Sequence, residues 1–245
     1  MKISSDIYEH LSSRAFDNEL IFHIERKKYK PVRREEFIIP RIQDKKVIHV
    51  GCADHIEVVD EKIRKGIWLH NIITEKSEKV IGVDINDTAI DYLQKEHNIS
   101  NVISGDISKE VFPEIRSESW DYVLFGEILE HLDNPVMFLS GFKDTYRGYV
   151  DKFIVSVPSI MTRVRYRYMM EHKEIINSDH RFWFTPYTSL KILARSGYTP
   201  EEIHFVNPSG LTIPELVTRK IKKNLGIPSL YPFMYFNTIM VTGKI

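Results

Sequence analysis

The hydrophobic pattern of the chain changes at residue 46. Over residues 3–29, apolar positions recur among many charges at a roughly helical spacing, which breaks ahead of Pro31. From Lys46 onward, short runs rich in β-branched and aromatic residues are separated by stretches long enough for helices. These runs are KVIHVG, KVIGVD, NVISGD, WDYVLFGE and KFIVSVP. Strands that alternate with helices predict a mostly parallel sheet.

The last strand-like run, FNTIMVTGK, follows EEIHFVN without a clear helical crossover between them. Parallel neighbours need such a crossover, so we expect this terminal strand to be antiparallel. The pattern predicts an α/β fold, in which a doubly wound, mostly parallel seven-stranded sheet carries an antiparallel C-terminal strand and a helical lid. The segment from Pro158 to Pro186 is the candidate lid, because it is the longest one without a clear core strand.

Charge, apolar runs and cysteine count indicate which partners and which compartment the protein has. The 34 basic and 34 acidic residues cancel, so no overall field favours nucleic acid or an anionic membrane, and we expect no nucleic-acid partner. No run approaches the ~20 apolar residues that span a bilayer, and MKISSDIYEH lacks the apolar run of a signal peptide. A single cysteine, Cys52, excludes an intrachain disulfide and a multi-cysteine metal site. These features predict a cytoplasmic protein without a membrane span.

Polar residues close the first three predicted strands. Ligands of open α/β sheets bind beyond the carboxyl ends of the strands, so these residues are candidate ligand contacts. Gly51 in HVGCADH lets the backbone pass close to a ligand. Asp84 could accept hydrogen bonds from both hydroxyls of a ribose, and Asp106 could accept one from the amine of an adenine. Each acid could instead cap a helix.

The order and spacing of VIHVGCADH, VIGVDIND, GDIS and WDYVLFGEILEHLDNP resemble the successive motifs of class I S-adenosylmethionine-dependent methyltransferases, over about residues 46–205. The resemblance implies S-adenosylmethionine as cofactor and a Rossmann-like methyltransferase fold. It implies that the Gly51 turn holds the methionine part, Asp84 the ribose, Asp106 and Ile107 the adenine, and Gly126 with Glu127 the floor below the sulfonium. The complete implied set is His49, Gly51, Asp54, His55, Asp84, Ile85, Asp106, Ile107, Gly126 and Glu127.

The sequence departs from the family pattern at the first strand. His49 stands where an acidic residue is usual, and Ala53 and His55 replace the second and third glycines of GxGxG. The same turn, GCADHI, also lacks the second and third glycines of the nicotinamide dehydrogenase fingerprint, which argues strongly against that class. A non-catalytic S-adenosylmethionine-binding or scaffold protein remains an alternative.

Within the family, HVGCADH followed by GIWLHNII and DHRFWFTPYTSLKILARSGY is most similar to methyltransferases of surface-glycan and small-molecule pathways. This similarity implies methyl transfer to a hydroxyl of a small molecule, such as a sugar or sugar nucleotide. An RNA methyltransferase is the alternative acceptor class, because the lid interleaves Arg and Tyr.

We expect one domain in four parts. They are an N-terminal helical cap at 1–45, a cofactor-binding core at 46–157, the substrate lid at 158–186, and a C-terminal helix and strands at 187–245.

Glu127, Glu130 and His131 have the spacing of one helix face and could converge on a metal ion. The ExxEH pattern also resembles the metal-binding motif of ubiquinone-pathway O-methyltransferases, which use magnesium. Oxygen ligands with one imidazole would suit Mg²⁺ or Mn²⁺. In the alternative interpretation Glu127 meets the cofactor, Glu130 is solvated or capped, and His131 packs beneath the lid.

His180 is the candidate catalytic base. A neutral imidazole there, assisted by Asp179, could accept the proton of a substrate hydroxyl as its oxygen attacks the methyl carbon. His131 is the rival base. His180 could instead be a lid residue that only bonds the backbone.

Arginines in the lid are candidate contacts for an anionic substrate. Arg163, Arg165 and Arg167 would lie on one side of an extended segment, a good arrangement for phosphate or carboxylate, but would spread around a helix. Arg181 is a further candidate. A second basic run is expected on an exposed helix side and comprises Arg219, Lys220, Lys222 and Lys223.

Overall fold

The computed structural model of the protein describes residues 1–24, 32–207 and 236–245. Its centre is a seven-stranded sheet in the order β3-β2-β1-β4-β5-β7-β6. Strands β1 to β5 pair in parallel, and β7 lies antiparallel between β5 and β6. The strands are β1 (Lys46–Val50), β2 (Lys79–Asp84), β3 (Val102–Ser104), β4 (Trp120–Gly126), β5 (Val150–Pro158), β6 (Thr199–Val206) and β7 (Thr238–Lys244). The predicted mixed sheet and its antiparallel end are confirmed.

Both faces of the sheet are covered, which explains the near-continuous apolar runs in its strands. Neighbouring residues point to opposite faces, so Val47 joins the core beneath α2 and α4 while Ile48 joins the core beneath α7 and α9. The helices are α1 (Ser5–Leu11), α2 (Arg34–Ile42), α3 (Ile56–Arg64), α4 (Leu69–Lys76), α5 (Asp87–Glu96), α6 (Pro113–Arg116), α7 (Pro135–Tyr146), α8 (Arg163–Met170) and α9 (Pro186–Arg195).

The N-terminal helix is shorter than its apolar spacing predicts. Helix α1 ends at Leu11, and Ser13 then adopts a left-handed backbone conformation that stops its continuation. Met1 donates its ammonium to the carbonyl of Ile203, and Lys2 forms a bridge with Glu202. The segment therefore runs along the edge strand β6, and no helix follows α1 within residues 12–24.

The basic run that contains Arg219 lies outside the described residues, so the structure does not test its expected helix. Across the described ranges, none of the helices combines the length and apolarity that a membrane crossing requires.

Candidate active site

A cavity of about 700 Å³ lies beyond the carboxyl ends of β1, β2, β3 and β4. It brings together every predicted cofactor, metal and base residue: His49, Gly51, Asp54, His55, Asp84, Ile85, Asp106, Ile107, Gly126, Glu127, Glu130, His131, Asp179 and His180. A second depression of about 830 Å³ lies at the opposite end of the sheet, beside the N-terminal segment, and no predicted site residue lines it. The predicted cofactor, metal and base residues therefore share the first cavity, whose size suits a cofactor-sized ligand.

The turn after β1 requires a glycine at its first position. Gly51 has a φ of 73°, and a Cβ there would lie 2.2 Å from Cγ2 of Ile128. Further along the turn, Asp54 pairs with Lys62 at 2.6 Å, and His55 directly precedes α3. The chain thus turns into α3 with Ala53 and His55 in place of glycines.

Asp84 is held in position by two backbone donors at the end of β2. Its Oδ2 accepts from the amide of Ala53 and its Oδ1 from the amide of Asn86, both at 3.0 Å. Asn86, rather than Asp84, is the N-cap of α5. Burial raises the pKa of Asp84, while the two amide bonds oppose that shift. Each carboxylate oxygen keeps acceptor capacity for a ligand in the cavity.

Asp106 is engaged within its own turn. Its Oδ1 accepts from the amide of Ser108 at 3.0 Å and from the Ser108 hydroxyl at 2.6 Å, and its Oδ2 pairs with Lys109 at 2.8 Å. Ile107 is buried beside it, whereas Ile85 is 72% exposed. Ile85 and Ile107 thus line the cavity beside Asp106, whose carboxylate stabilises the loop after β3.

The helix expected through Glu127, Glu130 and His131 is absent. Glu127 has a φ of 55°, and a short 3₁₀ turn at Leu129–His131 follows. The amide of Glu127 donates to the carbonyl and the hydroxyl of Ser156, both at 3.1 Å. Glu127 stays close enough to Glu130 to raise the pKa of that carboxyl, but the described residues whose ligand atoms converge are Glu130, His131 and His180, a different set from the predicted one.

Glu130, His131 and His180 form the group that could hold a metal ion. One ligand atom from each residue lies within 4.8 Å of the others. The His131 and His180 rings meet edge to face at 4.7 Å between centroids. The lid reaches this point because the amide of Arg181 donates to the carbonyl of Glu130 at 2.7 Å. Spacing along the chain could not reveal His180 as a member, since the contact depends on how the lid folds back.

Three polar atoms of this group, both carboxylate oxygens of Glu130 and Nδ1 of His180, lack hydrogen-bond partners among the described residues. Glu130 is fully buried, and neither carboxylate oxygen has a hydrogen-bond partner among the described residues. Burial, together with the neighbouring Glu127, raises the pKa of Glu130 to about 9. Burial also lowers the pKa of both histidines, and Nδ1 of His180 has no described partner. The His131 ring bonds the main chain of Asp179. Residues of these types at these distances could hold a divalent cation.

The lid arginines do not converge. Residues 163–170 form α8, so the extended arrangement that would put three arginines on one side is not formed. Arg165 turns inward, donates to the carbonyl of Ser159 at 2.7 Å and lies 4.0 Å from the centre of the Trp183 ring. Arg163 and Arg167 are exposed. Arg181 binds Asp133 and the carbonyl of His131, and none of the four lines the cavity.

Sequence reasoning missed two residues, one in the wall of the cavity and one behind it. His70 of α4 is fully buried, and its Nδ1 lies 3.2 Å from Nδ1 of His49. Burial lowers the pKa of His70 to about 4, and burial with the neighbouring His70 and Arg34 lowers that of His49. Arg34, at the start of α2, lines the cavity. A histidine within the apolar run GIWLHNII was a usable signal, whereas nothing local distinguishes Arg34 from the charges around it.

Comparison with known proteins identifies this architecture. Residues 66–147 match the family described as Methyltransferase domain. A SAM dependent methyltransferase from Archaeoglobus fulgidus aligns at a TM-score of 0.50 and 20% identity, covering 86% of this chain and 91% of that chain. A chain of the complex between the Haloferax volcanii Trm112 methyltransferase activator and a methyltransferase aligns at 0.51 and 14%, covering 85% and 86%.

The small RNA methyltransferase HEN1 aligns at a TM-score of 0.55 and 17% identity, covering 93% of this chain and 27% of that chain. At these identities the structural likenesses show a shared fold. No curated protein sequence gave a significant match.

The buried histidine pair predicts acid sensitivity. The folded protein keeps His70 neutral down to about pH 4, whereas the unfolded chain takes up this proton below about 6.5. The folded protein therefore has its full stability with respect to His70 above pH 6.5. It loses unfolding free energy as the pH falls from 6.5 toward 4, because the unfolded chain alone takes up the proton. Between pH 7.5 and 5 the wild type should lose roughly 2 kcal/mol more unfolding free energy than His70→Asn, measured by urea denaturation. Equal losses would show that His70 does not titrate this way.

Proposed function

Because the chain carries a class I S-adenosylmethionine-dependent methyltransferase domain, we propose that it transfers a methyl group from S-adenosylmethionine to a hydroxyl of a small molecule. The observation that carries the hydroxyl assignment is the group formed by buried Glu130 with half-buried His131 and His180 in the wall of the cavity. A hydroxyl is a weak nucleophile at neutral pH, so methyl transfer to it benefits from a base that takes its proton or from a cation beside the attacking oxygen.

The cofactor fits the strand ends as follows. Asp84 accepts from the ribose hydroxyls, and Asp106 with Ile107 contacts the adenine. The Gly51 turn, together with Asp54 and His55, borders the methionine part, and Gly126 with Glu127 forms the floor beneath the sulfonium. The support for this placement is that these residues line one cavity and that Asp84 retains acceptor capacity there.

We assign a divalent cation, Mg²⁺ or Mn²⁺, to Glu130, His131 and His180. Among the described residues, the Glu130 carboxylate and Nδ1 of His180 have no hydrogen-bond partner, and the three residues offer ligand atoms within 4.8 Å of one another, which fits such an ion. A bound cation would lower the pKa of a hydroxyl beside it. The protein's part is to hold the ligand atoms in place and to keep Glu130 ionised once the cation is present.

The lid at 158–186 supplies the third ligand and excludes water. Asn177, Asp179 and His180 line the cavity from this segment, and Arg181 ties it to the turn after β4. Methyl transfer needs an in-line approach in a site from which water is excluded, so the position of the lid matters as much as the activating group.

The acceptor we favour is a sugar or sugar nucleotide. The sequence similarity to surface-glycan and small-molecule methyltransferases supports this class, and the net charge of zero gives no general attraction to a polyanion. A hydroxyl of a short RNA is the second candidate, because a small RNA methyltransferase shares the fold over 93% of this chain.

Asp84→Ala tests the ribose contact. The variant should bind S-adenosylhomocysteine more weakly by roughly 1–3 kcal/mol, or about 5- to 150-fold, because two hydrogen bonds are lost and their donors are left unpaired. Calorimetric titration measures this. Asp91→Ala is the matched control, since Asp91 pairs with Lys95 on the exposed side of α5 and does not line the cavity. Unchanged affinity in a folded Asp84→Ala protein would show that Asp84 does not contact the ribose.

Transfer of a labelled methyl group to sugar nucleotides and to short RNA tests the acceptor and the cation together. We expect the label to appear on the sugar nucleotide. Turnover should be lost after exhaustive chelation and should recover when Mn²⁺ or Mg²⁺ is added. Glu130→Gln and His180→Ala should each lower turnover by at least about 100-fold while binding of S-adenosylhomocysteine persists. His172→Ala, an exposed lid histidine, is the control.

Full turnover after chelation would contradict the assignment of a cation to Glu130, His131 and His180. The histidines would then be bases, and a collapse confined to His180→Ala or to His131→Ala would identify which one. Labelling of RNA alone would replace the small-molecule acceptor.

A further inference from the structure

Exposed apolar side chains are concentrated in the lid, residues 158–186. Of the fifteen large apolar side chains that are exposed among the described residues, eight belong to this segment. They are Met161, Val164, Tyr166, Met169, Met170, Ile175, Ile176 and Phe182. None of the eight lines the cavity at the strand ends. Exposed apolar patches on folded proteins mark interaction sites, so the outer side of the lid is a candidate for one.

The exposed side chains belong to one folded unit. The guanidinium carbon of Arg165 in α8 lies 4.0 Å from the centre of the Trp183 ring, and the Trp183 indole donates to Glu174 at 2.8 Å. The segment that follows α8 therefore folds back against the helix. Ile175 and Phe182 are the chain neighbours of Glu174 and Trp183, so the apolar side chains of the returning segment lie close to those of α8.

Helix α8 presents a mixed cationic and apolar stripe to the solvent. Arg163, Tyr166, Arg167 and Met170 follow the i, i+3, i+4, i+7 spacing of one helix face, and all four are exposed. Arg165 is directed inward, where it donates to the carbonyl of Ser159. The inward position of Arg165 thus shows which side of α8 faces outward.

The positive charges of this stripe are available to a partner. Helix α8 carries three arginines and no acid. Glu171 pairs with Lys173 at 3.1 Å, and Glu174 accepts the indole hydrogen bond. Arg163 and Arg167 form no ion pair within the part of the chain that the structure describes. The outer side of the lid therefore combines free cations with apolar side chains, and its complement is an anionic, partly apolar surface.

We propose that the outer side of the lid docks on an anionic membrane surface. The apolar side chains enter the boundary between head groups and acyl chains, and Arg163 and Arg167 contact the lipid phosphates. A tyrosine such as Tyr166 suits this boundary, because its ring has an apolar body and a polar tip. The docked face belongs to the same segment that supplies Asn177 and His180 to the cavity.

Two other partners would match less of this surface. In a symmetric dimer through α8, the arginines of one copy would face the arginines of the other. RNA would engage the arginines and Tyr166, but it would leave the aliphatic side chains without a contact. An anionic bilayer is complementary to both the charge and the apolar surface. The overall charge of zero does not oppose this docking, because the patch is local.

Flotation of the full chain with lipid vesicles tests the proposal. Vesicles of phosphatidylcholine alone are compared with vesicles of an equal mixture of phosphatidylcholine and phosphatidylglycerol. The wild type should bind the anionic vesicles at low salt and bind the neutral ones much more weakly. Added salt should weaken the binding, because the attraction of exposed charges is screened.

The charges are tested by a double variant. Arg163→Gln with Arg167→Gln should weaken binding to anionic vesicles by about 10- to 30-fold, because two cations near the lipid surface are lost. The same two positions changed to Lys keep the charge and should bind nearly as the wild type does. Arg64→Gln with Lys65→Gln removes two exposed charges at the end of α3 and should have little effect.

The apolar contact is tested by Met170→Ser. This variant should weaken vesicle binding by about 3- to 10-fold, because less apolar surface enters the bilayer. Met137→Ser is the matched control, since Met137 on α7 is 70% exposed and Met170 is 66% exposed. Circular dichroism confirms that each variant is folded.

Four results would overturn the proposal. The first is that the wild type does not bind anionic vesicles in preference to neutral ones. The second is that the lid variants bind as the wild type does, which would place the contact elsewhere on the chain. The third is self-association that Met170→Ser abolishes in the absence of vesicle binding. The fourth, again without vesicle binding, is binding to short RNA that is lost with Arg163 and Arg167 but kept in Met170→Ser.

Discussion

The turn directly after β4 determines where the polar groups of the site lie. Glu127 leaves the strand with a φ of 55°, and its amide is held by the carbonyl and the hydroxyl of Ser156 on the neighbouring strand β5. Gly126 and Ser156 are paired in the sheet register, so the strands themselves position this bond. The chain then forms a 3₁₀ turn that carries Glu130 inward, and the lid docks on the carbonyl of the same residue.

This geometry buries acidic groups at an energetic cost. A buried carboxyl without hydrogen bonds is strongly disfavoured in its ionised form, which is why the pKa of Glu130 rises to about 9. Arg34 and Arg165 lie near Glu127 and compensate part of its charge, whereas both oxygens of Glu130 remain without partners among the described residues. Ligands that supply positive charge or hydrogen bonds would stabilise this arrangement, so ligand binding should also stabilise the fold.

The sheet and the strand ends could be predicted from the sequence, because strands buried on both faces appear as near-continuous apolar runs that end at polar residues. The same periodicity failed for the segment after α1, where a left-handed Ser13 ends the helix although the apolar spacing continues. The lid arginines could not be placed, since the choice between strand and helix for residues 163–170 depends on packing rather than on spacing.

The contacts of His180 and His70 could not be predicted, because each joins segments that are far apart in the sequence. His180 joins Glu130 and His131 only because the lid folds back over β4, and His70 meets His49 only because α4 packs against β1 and β2. The position of Asp84 in the cavity wall, by contrast, was predictable, because it depends only on where β2 ends.

The central claim is that one cavity holds the cofactor and a cation side by side at the end of β4. A crystal structure of the protein with S-adenosylhomocysteine and Mn²⁺, recorded with manganese anomalous scattering, tests this claim most directly. The account predicts an anomalous peak among Glu130, His131 and His180, with the ribose on Asp84 of the same chain. A cofactor bound elsewhere, or manganese absent from these three residues at saturating concentration, would contradict it.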